Sequence, residues 1–284
     1  MLKSLGKWKV TALETGDFWL DGGAMMGSVP KVLWEKTNPA DTFNRIQLAL
    51  RCLLLDDGKN RILIESGMGD KLESSFKGRF HVEQPKYPLK EKLREAGYAM
   101  DDVTHVLLTH LHFDHAGGAT TLDSQGQLVP AFPNAVYYVS QENWEAGINP
   151  SPRDSASYLD INYKPLAEAG LLQLVSDDTM IMDGVSTLIV NGHTYGQQLI
   201  KIESEGEILV FVADLIPLRS HLQLPWIMGY DLNAVLTLEE KTAFLEKAAQ
   251  HKWWIWFYHD PDTVAVKISH GEKYYDVIEE EVRS

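Results

Sequence analysis

The sequence is short of three things. With a single cysteine, Cys52, in 284 residues, it has no internal disulfide framework. That cysteine sits in the apolar run Leu48 to Leu55, which favours a buried structural thiol over a nucleophile. Basic residues are also scarce: 26 Lys and Arg face 40 Asp and Glu, a net charge of −14, and so acidic a chain lacks the basic stripe that a nucleic-acid partner requires. Finally, no uncharged apolar run is long enough to cross a membrane. Met1 to Gly23 alternates apolar with charged residues and has no signal-peptide core. A cytoplasmic location with no membrane partner is the expectation. Composition is globular, 44% hydrophobic and 23% charged, and residues 1–284 are expected to form one domain.

What is abundant is concentrated. Thr104 to Leu108 is a short apolar β-like run that empties into His110, His112, Asp114 and His115, followed by Gly117-Gly118. Imidazole and carboxylate are ligands that suit Zn²⁺ and similar divalent ions, and so many ionisable groups crowd together to little purpose without a cation. By the period of two, His110 and His112 should face one way, while Asp114 and His115 lie where the chain bends toward a second point about 3.5 Å from the first. The glycine pair is expected to let the backbone turn tightly beside the site.

Three further candidates share one placement. His193 follows the strand-like Ser186 to Val190, Asp214 follows Glu207 to Ala213, and His259 follows Trp253 to Tyr258. Loops at strand ends are where a rigid scaffold presents chemistry. Elsewhere, residues 7–20 read as one or two strands. Ile46 to Leu55 and Arg61 to Ile64 read as a hairpin closed by Asp56-Asp57-Gly58-Lys59-Asn60. Leu171 to Val175 and Gln198 to Ile202 also read as strands, and Leu89 to Ala96 and Leu232 to Gln250 carry helical spacing. Ser140 is a helix cap, Ser151-Pro152 is read as a helix start, and Lys31 to Asn38 as a short helix or ordered loop. Gly22 to Met26 reads as a glycine-rich loop able to approach a site, and 71–88 as an irregular excursion able to cover one. Groups of strands followed by helices favour sheets sandwiched between helices.

The run His-x-His-x-Asp-His with Gly-Gly resembles the signature of the metallo-β-lactamase-fold hydrolases. The resemblance implies an α+β fold, a four-layer αββα sandwich with its site along one edge. It also implies two divalent ions, Zn²⁺ first, with Fe, Mn or Co as alternatives. His110, His112 and His193 are then ligands of one metal, Asp114, His115 and His259 of the other, and Asp214 the bridging carboxylate. Such a pair generates hydroxide near neutral pH, and Asp114 is assigned a second, catalytic role as proton shuttle.

The segments Phe18 to Met25 and Val29 to Trp34 resemble the branch with N-acyl-homoserine lactonases and methyl parathion hydrolase-like enzymes. A small lactone or ester is therefore the expected substrate. A phosphotriester and a glyoxalase II-type thioester are the alternatives, and an iron-dependent oxidoreductase is the alternative of another class. Met25, Met26, Trp34, Phe113, Trp226 and Met228 are candidates for an apolar groove. Three positions depart from the family: Glu65-Ser66-Gly67 stands where an aspartate usually precedes Thr-Gly, Asn191-Gly192-His193 stands where many members read Pro-Gly-His, and Pro217 stands where many lactonases place a carbonyl-binding tyrosine. Tyr195, His221 and Tyr230 are the candidate replacements. Tryptophans in the 19–34 segment make a homodimer the expected assembly.

Overall fold

Side-chain alternation decides the layers. The computed structural model describes residues 2–176 and 178–283, and its strands form two seven-stranded sheets and one small ribbon. One sheet runs in the order Ser4–Leu5, Trp8–Asp21, Arg45–Asp56, Arg61–Ile64, His105–Leu107, Val136–Ser140, Leu172–Val175. The other runs Met180–Met182, Val185–Val190, Gln197–Ser204, Glu207–Phe211, Trp254–Trp256, Thr263–His270, Tyr275–Val282. In this second sheet Ile200, Ile202, Leu209, Phe211, Trp254 and Trp256 enter the core shared with the first sheet. Their strand neighbours Leu199, Val210 and Ile255 face the other way, onto Phe244, Leu245 and Ala248 of the Ala234–His251 helix. The Pro88–Glu95 helix packs against the Trp8–Asp21 strand and buries Leu89 and Leu93. Helix, sheet, sheet and helix are thus stacked in the expected αββα order. Each fully buried Leu, Ile or Phe of this double core contributes about 1.5–3 kcal/mol.

Most strands pair antiparallel, and the parallel pairings determine where the loops go. Ile64 pairs with Leu107 and Leu107 with Tyr138, while Phe211 pairs with Trp256 in the other sheet. Parallel strands end on the same side, so the segments after Leu107, Phe211 and Trp256 collect at one edge. Those segments carry His110, Asp214 and His259.

Several local readings hold. The hairpin turn places Gly58 at φ +87°, with Asp56 Oδ1 accepting from the Gly58 amide. Ser140 Oγ accepts from the Asn143 amide at 3.0 Å and caps the Gln141–Ile148 helix. Gly97, φ +92°, follows the Pro88–Glu95 helix. Cys52 is buried. Among the described residues no helix is long and apolar enough to cross a membrane.

Other readings change. The strand before the motif stops at Leu107, so His110 and His112 do not alternate along a strand; His112 instead precedes the short helix Phe113–Ala116. Gly22–Met26 is a helical turn capped by Asp21 rather than an open loop. The stretch 71–88 contains the helix Ser74–Arg79, whose flank places Phe76 and Phe80 against Phe113, with ring centroids 5.1 and 5.4 Å away. Ser151-Pro152 starts a turn and not a helix, because the Ser151 hydroxyl turns to Asp154 and closes the chain locally.

Candidate metal centre

The motif loop is held from behind. The Ser66 amide and hydroxyl both donate to the His115 carbonyl, at 2.9 and 2.8 Å, and the Ala116 amide donates to His112. These bonds fold residues 110–116 so that four side chains converge. His193 arrives on the loop after Val185–Val190, whose Asn191 and Gly192 amides donate to Glu240 of the long helix. Asp214 follows Ala213, a non-glycine residue at φ +43°, a conformation that costs of order 1–3 kcal/mol and here turns the carboxylate inward.

The seven side chains form two groups. His110, His112 and His193 can offer nitrogens to one point, and Asp114, His115 and His259 can offer atoms to another. In the first, His193 Nε2 lies 3.3 Å from His112 Nδ1; in the second, His259 Nε2 lies 3.3 Å from His115 Nε2. Asp214 stands between them. Its Oδ2 is 3.3 Å from His193 Nε2, while its Oδ1 is 3.5 Å from His115 Nε2 and 3.3 Å from His259 Nε2. Asp114 Oδ2 approaches only the second group, at 3.7 and 3.6 Å from the same two nitrogens.

This donor set fits a pair of cations. The His110 Nε2 and Asp214 Oδ1 atoms are buried without a hydrogen-bond partner, a costly state that a cation would relieve. Burial pulls the pKa values of His110 and His112 well below the ordinary imidazole value, which leaves their lone pairs free. Burial is the largest single influence on His115 and His193 as well, but there the neighbouring carboxylates together outweigh it, Asp214 foremost, joined by Asp114 and Glu65 at His115 and by Asp231 at His193, so both values rise. The outward-facing nitrogens are oriented by neighbours: His259 Nδ1 donates to the Ala49 carbonyl at 2.9 Å, and His193 Nδ1 lies 3.0 Å from Asp231 Oδ1.

Glu65 resolves one departure from the family pattern. It is fully buried at φ +69°; its Oε1 accepts from the Thr109 hydroxyl and lies 3.2 Å from His115 Nδ1. Glu65, His110 and His115 are close enough to be a third candidate group. However, Glu65 meets the Nδ1 side of His115, while Nε2 of that ring faces Asp114, Asp214 and His259. The longer glutamate therefore supports the centre from behind.

A cavity of about 420 Å³ opens onto the cluster, reached by His112, Asp114, His193, Asp214 and His259. Its apolar wall includes Leu20, Met25, Leu48, Phe80, Phe113 and Met228, and Arg153, Asp154, Ser157 and Tyr230 are polar members. Of the nine pocket candidates named from the sequence, Met25, Phe113, Met228 and Tyr230 line it. The other five, Met26, Trp34, Tyr195, His221 and Trp226, do not. Met26 is fully buried on the far side of the Gly22–Met26 turn, and Trp34 is likewise core. Tyr195 is 57% exposed and outside the cavity lining. His221 Nε2 donates to the Met25 carbonyl at 3.1 Å and so braces the pocket wall from behind; burial takes its pKa down to about 3, keeping the ring neutral. Trp226 packs against the core and hands its carbonyl to Lys241. A larger cavity of about 670 Å³ beside the Pro88–Glu95 helix contains none of the clustered histidines, so chemistry rather than volume selects the site.

Sequence reasoning missed Asp231, Phe80 and Arg153. Asp231 lies 38 positions from its histidine. No spacing rule connects them. Phe80 enters the wall only because the unexpected 74–79 helix folds over Phe113.

A family model described as the metallo-beta-lactamase superfamily matches residues 49–259, from the strand beside His259 through that histidine. An N-acyl homoserine lactonase of Bacillus thuringiensis is 29% identical over 179 residues, 59% of this chain and 64% of the relative, so under two thirds of that relative's length is matched. A probable metal-dependent hydrolase from Staphylococcus aureus, a solved structure, is 30% identical with a TM-score of 0.91, covering 99% of each chain. The solved structure of a dizinc quorum-quenching lactonase with a homoserine product has the same fold, at 23% identity and a TM-score of 0.80 over 99% of this chain and 97% of that one. The matched span holds the motif, His193, Asp214 and His259 together, and the chain belongs to the metallo-beta-lactamase superfamily.

Proposed function

We propose that residues 1–284 act as one hydrolase domain that binds two divalent ions and opens a small lactone or ester, with an N-acyl-homoserine lactone as the leading substrate. The observation that carries this reading is the division of Asp214, one carboxylate oxygen toward each histidine group. Two bound ions, zinc first among them, supply an acidified water and a Lewis acid for the substrate carbonyl. The chain's residues do the rest. His110, His112 and His193 would hold one ion and Asp114, His115 and His259 the other, with Asp214 available to both groups. Asp114 takes the proton from the attacking water and delivers it to the ring oxygen as the lactone opens. Leu20, Phe80, Phe113 and Met228 give an acyl chain an apolar wall.

The reading is tested by loading the protein with zinc, counting the metal, and comparing lactone, phosphotriester and thioester panels. About two ions per chain and a clear preference for lactones are expected. A coloured iron protein without lactonase or esterase activity would overturn it.

Tyr230 takes the role that Pro217 cannot fill. Burial, with Asp21 and Asp114 nearby, pushes its pKa up to about 12, so at neutral pH it presents a donating hydroxyl to the cavity. Tyr230→Phe should lower kcat/KM about tenfold, ~1.4 kcal/mol, with metal content unchanged. Unaltered kinetics would remove Tyr230 from the reaction.

A further inference from the structure

We infer that Asp231 is a positioning residue that holds a metal ligand and the substrate wall in register with a single carboxylate. The inference rests on the hydrolase reading for its substrate half, and on geometry alone for the rest. Asp231 Oδ1 lies 3.0 Å from His193 Nδ1, and Asp231 Oδ2 accepts from the Met228 amide at 3.2 Å. The side chain is 1% exposed, so water cannot replace either contact. The donors it joins belong to different parts of the site. His193 points its other nitrogen at Asp214 and His112, while Met228, Gly229 and Tyr230 line the cavity.

The surrounding backbone makes this carboxylate the junction of two otherwise separate attachments. On one side, the Leu232 amide donates to the His193 carbonyl at 3.1 Å and the Asn233 amide to Gly192 at 2.9 Å. On the other, the Gly229 amide donates to the Ala24 carbonyl at 2.8 Å, Arg153 donates to the Gly229 carbonyl, and the Asp231 amide reaches Met228. Residues 228–231 therefore form a tight turn with Tyr230 at its tip, closed by the same carboxylate that orients His193. If Asp231 merely closed that turn, its loss would loosen the loop and leave metal binding alone. If it merely oriented His193, its loss would leave substrate recognition alone. The geometry requires both to change.

The test uses Asp231→Ala and Asp231→Asn in the full chain, titrated with zinc against a chelator and assayed with short- and long-chain acyl lactones. Asp231→Ala should weaken one of two zinc ions by ten- to a hundredfold and spare the other, because only one group contains His193. It should also raise KM more for the long acyl chain than for the short one. Asp231→Asn keeps one acceptor oxygen for two donors, so it should recover part of one property, zinc affinity or KM, and not both. Should the alanine variant fold poorly, the asparagine variant carries the comparison. Wild-type zinc affinity in Asp231→Ala, or an unchanged KM for the long-chain lactone, would each overturn the inference. Zinc affinity lost with no lactone opened by wild-type protein would instead overturn the hydrolase reading and leave the His193 half standing.

Discussion

Asp214→Asn should remove at least about 10³-fold of turnover, ~4 kcal/mol of transition-state stabilisation, and reduce bound metal from two ions toward one. The carboxylate faces three imidazole nitrogens, His193 Nε2 through Oδ2 and His115 and His259 Nε2 through Oδ1. An amide of the same shape has only one oxygen. Its NH₂ must face one of the two groups, where it offers hydrogens in place of lone pairs, and the negative charge between the two histidine groups is gone. The metal-free protein gives the control. Removing the carboxylate leaves His115 and His193 without their counter-charge and lowers the melting temperature of the metal-free protein, and zinc loading should widen the gap between variant and wild type. Two ions per chain with wild-type turnover in the variant would refute the bridging assignment.

The parts of this site that were legible in sequence are those encoded within one turn or at one strand end. His110 to His115 stand close together because one loop carries them. His193, Asp214 and His259 were findable because each follows a strand whose apolar residues alternate or run continuously. What the sequence could not display are contacts made across the fold. Asp231 and His193 meet because the 231–233 segment pairs with 192–193, and nothing in either segment encodes the other. The neighbouring methionines Met25 and Met26 look equivalent in sequence, yet one helical turn directs the first into the cavity and the second into the core.

The fold shows the same division. The core strands were readable because burial on one or both faces forces an apolar pattern, as in the almost wholly buried Arg45–Asp56. Tyr275–Val282 was not read as a strand, since it lies at a sheet edge with Glu279, Glu280 and Glu281 in a largely exposed run. The Ser74–Arg79 helix has six residues, too few to display a period. It is placed by the Phe76, Phe80 and Phe113 rings.

The glycine pair after the motif lies in the tight turn expected there, the 3-10 turn Gly117–Ala119, but a turn alone does not demand glycine. Gly117 has φ −58°, ordinary for any residue, so no left-handed turn requires it. What both glycines permit is close approach. A Cβ on Gly118 would sit 2.1 Å from the Ser66 carbonyl oxygen and 2.7 Å from Leu89 Cδ1, and one on Gly117 would sit 2.3 Å from the Met68 carbonyl oxygen. The nearest obstacle in each case is a backbone carbonyl oxygen, and Ser66 is itself tied to the His115 carbonyl through its amide and hydroxyl. Gly118→Ala must therefore push the 66–69 segment away from the loop carrying Asp114 and His115. We expect it to cost about 3 kcal/mol, the upper end for overpacking, because the closest obstacle is backbone and cannot rotate away. Zinc affinity should fall with it, and excess zinc should restore part of the lost melting temperature. Gly78→Ala is the matched control: it lies in the Ser74–Arg79 helix with nothing within 4 Å of the added Cβ, and should be neutral or stabilise by up to about 1 kcal/mol. Equal melting temperatures for Gly118→Ala and wild type, at full zinc content, would mean that backbone contact behind the motif is not what the glycine provides.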